Sequence, residues 1–89
     1  MRDQRMQALL CAVDSALDEQ IGMAFVPKIV RSLGPKLPTA AAHALLLEAA
    51  RQGLVELRPE SGLGRLNEDE IAACPPGPQG TRLSWARRL

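Results

Sequence analysis

Glycine and proline punctuate this chain so regularly that they set the length of every element it can form. Seven of each fall at the margins of its apolar runs. Before the first of them, Met6, Leu9, Leu10, Val13, Ala16, Leu17 and Ile21 recur at spacings of three and four, one stripe of a helix. Arg2, Arg5, Asp14 and Asp18 lie off that stripe, and Gly22 stands where a C-terminal cap belongs. Met23-Ala-Phe-Val-Pro-Lys28 reads as a short extended stretch. Pro27 biases Val26 away from helical geometry and suits the first position of a second helix. That helix turns Ile29, Val30 and Leu33 inward and stops at Gly34-Pro35. A third helix follows Leu37-Pro38, with Thr39 or a neighbour as its cap, and its alanine-rich run continues to Gly53, a suitable residue beyond a helix end.

At Gly53 the period changes. Leu54-Val-Glu-Leu-Arg58 alternates and reads as a strand, followed by turn residues from Pro59 to Gly64. Asn67 with Glu70 three positions later has capping-box spacing, which opens one or two helical turns ending near Ala73. Pro75-Pro-Gly-Pro-Gln-Gly80 is a rigid loop. Thr81 to Arg87 alternates again, with Leu83 and Trp85 on one side and Arg82 and Ser84 on the other, and is the natural antiparallel partner of 54–58.

With 89 residues, 46% of them hydrophobic and 24% charged, residues 1–89 make a single globular domain with one small core. No apolar run reaches the ~20 residues of a membrane span. The Met1-Arg-Asp-Gln-Arg5 start leads into a mixed-polarity segment, so no secretory signal is expected. Phe25 and Trp85 are the only aromatics, which removes the stacking platforms of single-strand nucleic-acid binders. The formal net charge is +1, but its distribution is uneven. Residues 1–25 and 59–74 are acidic, whereas 26–58 and the tail from Pro75 are basic. If the two basic segments meet in space, a near-neutral molecule acquires a basic face.

Helix, short strand, helix, turn, helix, strand, wing, strand: this order resembles the winged helix-turn-helix superfamily across nearly the whole chain. The marks are Val26-Pro-Lys-Ile-Val-Arg-Ser-Leu-Gly34, the passage from Leu46 to Gly53, and Leu54-Val-Glu-Leu57. The resemblance implies an α+β, mainly α fold: three main helices and a small antiparallel sheet, with a long wing that contains a helical turn. Where a typical wing is a short hairpin, the segment between these strands is long.

The resemblance also implies that the third helix is where DNA would be read. Its outward face carries Ala40, Ala41, Ala44, Leu47, Glu48, Arg51 and Gln52, with Ala42, Leu45, Leu46, Ala49 and Ala50 inward and His43 on the border. Base reading favours Arg, Lys, Asn or Gln in the N-terminal half of such a helix. Here that half offers alanines, and the only basic residue and amide come late. Phosphate contacts are easier to supply, from Lys28, Arg31, Lys36, Arg51, Arg82, Arg87 and Arg88. Ordinary solvent-facing charges would look the same. Arg58 and Arg82 sit where they could pair with Glu56 or Glu60.

Two functions stay open on this reading. One is a small cytoplasmic, bacterial-type DNA-binding protein or transcription-regulator accessory that holds double-stranded DNA mainly by its phosphates. The other is a protein–protein interaction adaptor docking through Ala40, Ala44 and Leu47, without DNA. A weaker third is a homodimer through Met6–Leu17. No enzyme is expected: the serines lack a nucleophile elbow or a base. Neither cofactor nor metal is expected either. Cys11 and Cys74 form no disulfide framework or paired motif, and Cys11 reads as a partly buried small hydrophobe. His43 is the only histidine. Glu68, Asp69 and Glu70 point in different directions and suit the helix dipole. Gly62-Leu-Gly64 is too short for a phosphate cradle and reads as a flexible wing. Trp85 is expected to anchor the sheet against the helices.

Overall fold

The computed structural model describes residues 4–60 and 66–89; the expectation for Gly62-Leu-Gly64 lies outside them. The described chain is an α+β fold, mainly helical. In order it forms α1 (Gln4–Ser15), β1 (Leu17–Asp18), β2 (Met23–Phe25), α2 (Val26–Leu33), α3 (Thr39–Arg51), β3 (Val55–Pro59), α4 (Glu68–Ala73) and β4 (Leu83–Arg88). The four strands make one antiparallel sheet in the order β1-β2-β4-β3.

The first helix is shorter than its apolar stripe. It ends at Ser15 rather than at Ile21, and the chain turns into a hairpin. The Asp18 carboxylate accepts from the N–H groups of Gln20 (3.0 Å) and Ile21 (3.3 Å), the local bonding that lets Asp divert a backbone from a helix. Gly22, at φ 81°, serves this hairpin and not a helix end. Leu17 and Ile21, expected inside, are 47% and 53% exposed. Cys11 is exposed too, on the polar side of α1, rather than partly buried.

Val26 is helical despite the proline that follows it. Phe25 is the extended N-cap, and Pro27 falls in the first turn, where its missing N–H costs nothing. Pro38 is the extended N-cap of α3 and makes no side-chain bond. The other end of α3 closes as the sequence suggests. Gly53 at φ 75° allows Leu54 N–H to reach Ala49 C=O (2.9 Å) and Gly53 N–H to reach Ala50 C=O (3.1 Å), a Schellman pair.

The core gathers Leu9 and Val13 of α1, Ile29 and Leu33 of α2, Leu46 of α3 and Val55 of β3, all buried. Ala12, Ala24, Ala42, Ala49 and Ala86 fill the positions between them. Small side chains let the helices lie close to the sheet, and this reverses the expected orientation of the last strand. Ser84 and Ala86 are fully buried, whereas Leu83 and Trp85 are half-buried on the other face. Trp85 therefore does not anchor the sheet to the helices. Its ring tilts against Phe25 of the neighbouring strand, with centroids 5.1 Å apart, and its Nε1–H donates to Glu60 at 3.0 Å.

Candidate interaction surface

The outward face of α3 follows from its periodicity. Ala42, Leu46 and Ala49 are buried, which leaves Ala40, Ala44 and Leu47 exposed along one side. Leu47 is 39% exposed. Around it the surface is concave. An open groove of about 560 Å³ runs from Leu47 and Ala50 across Val55 and Leu57 of β3 to Leu83 and Leu89. A second, of about 660 Å³, joins Ala44 to Leu47 and Ala50. The two share Leu47 and Ala50, so the exposed face of α3 continues onto the sheet, with Glu48 and Arg51 bordering the helix side and Glu56 and Arg87 the strand side.

The polar groups of the same face are already engaged. Glu48 holds Arg51 in an ion pair and accepts from Gln52 Nε2 at 2.8 Å. These are the basic residue and the amide that a base-reading helix would need to present. Helical spacing of three and four places both within reach of one carboxylate.

The residues expected to contact phosphates have different settings. Arg87 bonds Glu56 across the β3–β4 pair at 2.8 Å, with Arg58 on the same carboxylate at 3.1 Å. Arg88 reaches Asp14 of α1 at 3.0 Å. Arg82 is turned inward and donates to the Cys74 carbonyl at 3.3 Å. Lys28, Arg31 and Lys36 are exposed, and their side chains make no ion pair or hydrogen bond among the described residues. Lys28, however, borders a groove that also carries Asp18, Glu60 and Glu70, an acidic setting for a phosphate. Arg51 lies beside Arg5 in a different groove, between α1 and α3.

Within the Met6–Leu17 stretch expected for a homodimer contact, much of the apolar surface turns inward, while Leu17 is exposed. Leu9, Ala12 and Val13 are buried in the chain's own core, and the outer side of α1 shows Gln7, Cys11 and Asp14. His43 donates from Nε2 to the Ala73 carbonyl at 2.7 Å and ties α3 to the end of α4. Among the described residues no three His, Cys, Asp or Glu side chains converge as metal ligands. None of their helices is long and apolar enough to cross a membrane.

The sequence places Ala40, Ala44 and Leu47 on one exposed face, and the grooves add Ala50, Leu57, Leu83 and Leu89 beside Leu47. Nothing local marks those four as neighbours of the helix. The pairing of β3 with β4 beside α3 brings them there. Comparison with family models, with characterised proteins and with solved structures finds no match.

Proposed function

We propose that this chain is a protein-interaction module of the winged helix-turn-helix type, docking a partner protein through the α3 face and the groove beside β3. The element order and the β2-β4-β3 arrangement support the winged-helix reading. The observation that carries the function is the continuity of the apolar surface from Ala44 and Leu47 over Ala50 to Leu57. Apolar, well-shaped patches of this kind favour protein contacts. Capture of Arg51 and Gln52 by Glu48 works against base reading, and fold analogy alone carries no function.

The test sets the two readings against each other. Duplex DNA is titrated by fluorescence anisotropy at ~50 and ~200 mM salt. The docking reading expects no binding that responds to salt or to Lys28→Ala/Arg51→Ala. It also expects Leu47→Asp to abolish partner capture in a pull-down while circular dichroism and the melting transition stay intact. Tight DNA binding that collapses with salt and with the double variant would overturn it in favour of a phosphate-contacting DNA protein.

A further inference from the structure

Phe25 and Trp85, the only aromatic residues of the chain, are half-buried and paired across β2 and β4, outside the core. Together they line an open groove of about 350 Å³. Ala16 and Leu66 add apolar surface to it, and Asp18, Lys28, Glu60 and Glu70 add charge. Among the described residues no side chain of α3 takes part, so this groove is separate from the docking face proposed above. At the low end of the roughly 300–1,000 Å³ of ligand sites, it has room for one large side chain.

Three carboxylates against one ammonium leave this lining with an excess of negative charge. Asp18 Oδ1 accepts from the N–H groups of Gln20 and Ile21, and Glu70 Oε1 accepts from Asn67 N–H. All three donors are uncharged amides, so the bonds hold both carboxylates in place without an ion pair. Glu60 Oε2 accepts from Trp85 Nε1–H at 3.0 Å, which fixes the indole beside the acids. Lys28 makes no ion pair with any of them.

We propose that this groove accepts an arginine side chain of a partner protein. Charge and shape together select it. A guanidinium is planar and always ionised, stacks on aromatic rings and gives several N–H donors to carboxylates. An aliphatic residue would leave the acids without a counter-charge, and an acidic residue or a phosphate would meet like charges. Lys28 opposes the arginine for the same reason.

The test uses the full chain and the intrinsic fluorescence of Trp85, its only tryptophan. The probes are an end-blocked Ala-Arg-Ala peptide and its citrulline counterpart, which keeps the shape and loses the charge. At ~50 mM salt the arginine peptide should shift the emission saturably and the citrulline peptide should not. Asp18→Asn combined with Glu70→Gln removes both charges, while each amide keeps an acceptor oxygen for the hairpin and the α4 cap. That variant should melt as the wild type does and bind about fivefold more weakly. Lys28→Gln should tighten binding by about twofold, and Leu47→Asp should leave it unchanged. No saturable shift up to ~20 mM peptide, equal binding of the citrulline peptide, or unchanged affinity in the Asp18/Glu70 variant would overturn the proposal. Weaker binding on Lys28→Gln would overturn it too, and loss on Leu47→Asp would assign the peptide to the α3 face instead.

Discussion

Cys74 shows how a residue's surroundings decide its chemistry. Its side chain is fully buried and donates from Sγ to Ser84 Oγ at 3.6 Å, while Ser84 donates in turn to the Arg82 carbonyl at 3.1 Å. Burial raises the thiol pKa, offset in part by Ser84 and Arg82. The folded state thus holds the thiol proton more tightly than the unfolded chain, whose thiol ionises near about 8.5. This contribution to stability is complete below that pH and declines as pH rises above it, by at most about 1.4 kcal/mol per pH unit. Urea midpoints at pH 7.5 and 9.5 should therefore fall more for the wild type than for Cys74→Ala, which keeps Cys11. A thiol reagent at neutral pH should label the exposed Cys11 promptly and Cys74 only on unfolding. Equal labelling rates would contradict the buried placement. Ser84 lies inside for a related reason: its hydroxyl finds partners, and its small volume suits a tightly packed sheet face that Trp85 would overfill.

Among the elements, the shortest helix has the most complete local signal. Asn67 accepts from Glu70 N–H at 2.8 Å and Glu70 accepts from Asn67 N–H at 3.0 Å, the full capping box read from the sequence. None of the side chains in α4 is fully buried, so its stability depends on this cap and on the His43–Ala73 bond at its far end. Asn67→Ala should cost about 1 kcal/mol. Hydrogen exchange should then quicken across Glu68–Ala73 before it quickens in α2 or α3. Uniform quickening over the whole chain would show that α4 does not open separately. The opposite case is α1, whose apolar spacing continues past the true helix end. Periodicity records which residues are apolar, not whether a neighbouring strand competes for them, and β2 takes Leu17 and Asp18 as its partners.

Over the whole molecule, two ion pairs join residues distant in sequence, Arg87 with Glu56 and Arg88 with Asp14. Arg88 and Asp14 lie 74 positions apart and link the last strand to the first helix. Both side chains are substantially exposed, so Asp14→Ala should cost less than about 1 kcal/mol, and less still at high salt. A larger loss that salt leaves unchanged would mean the pair does more than bridge two surface charges. The same pairing bears on the basic face that the segment charges suggest. The middle segment and the tail are each basic, but Arg51, Arg87 and Arg88 have carboxylates beside them. The radius of gyration, 12.0 Å, is about that expected of a compact chain this long.

Local rules alone determined α2, α3 and α4 to within a residue or two, the β3–β4 pairing, and the exposure of Ala40, Ala44 and Leu47. Caps, glycine at positive φ and helical period act over a few residues, so they can be read in one dimension. Tertiary structure decided the hairpin that shortens α1, the reversal of Ser84 and Trp85, and the pairing of Arg87 with Glu56 and of Arg88 with Asp14. It also brought Leu57, Leu83 and Leu89 beside α3. Those outcomes depend on which surfaces meet, how much volume lies between them and which opposite charge is nearest, quantities that exist only once the chain has closed on itself.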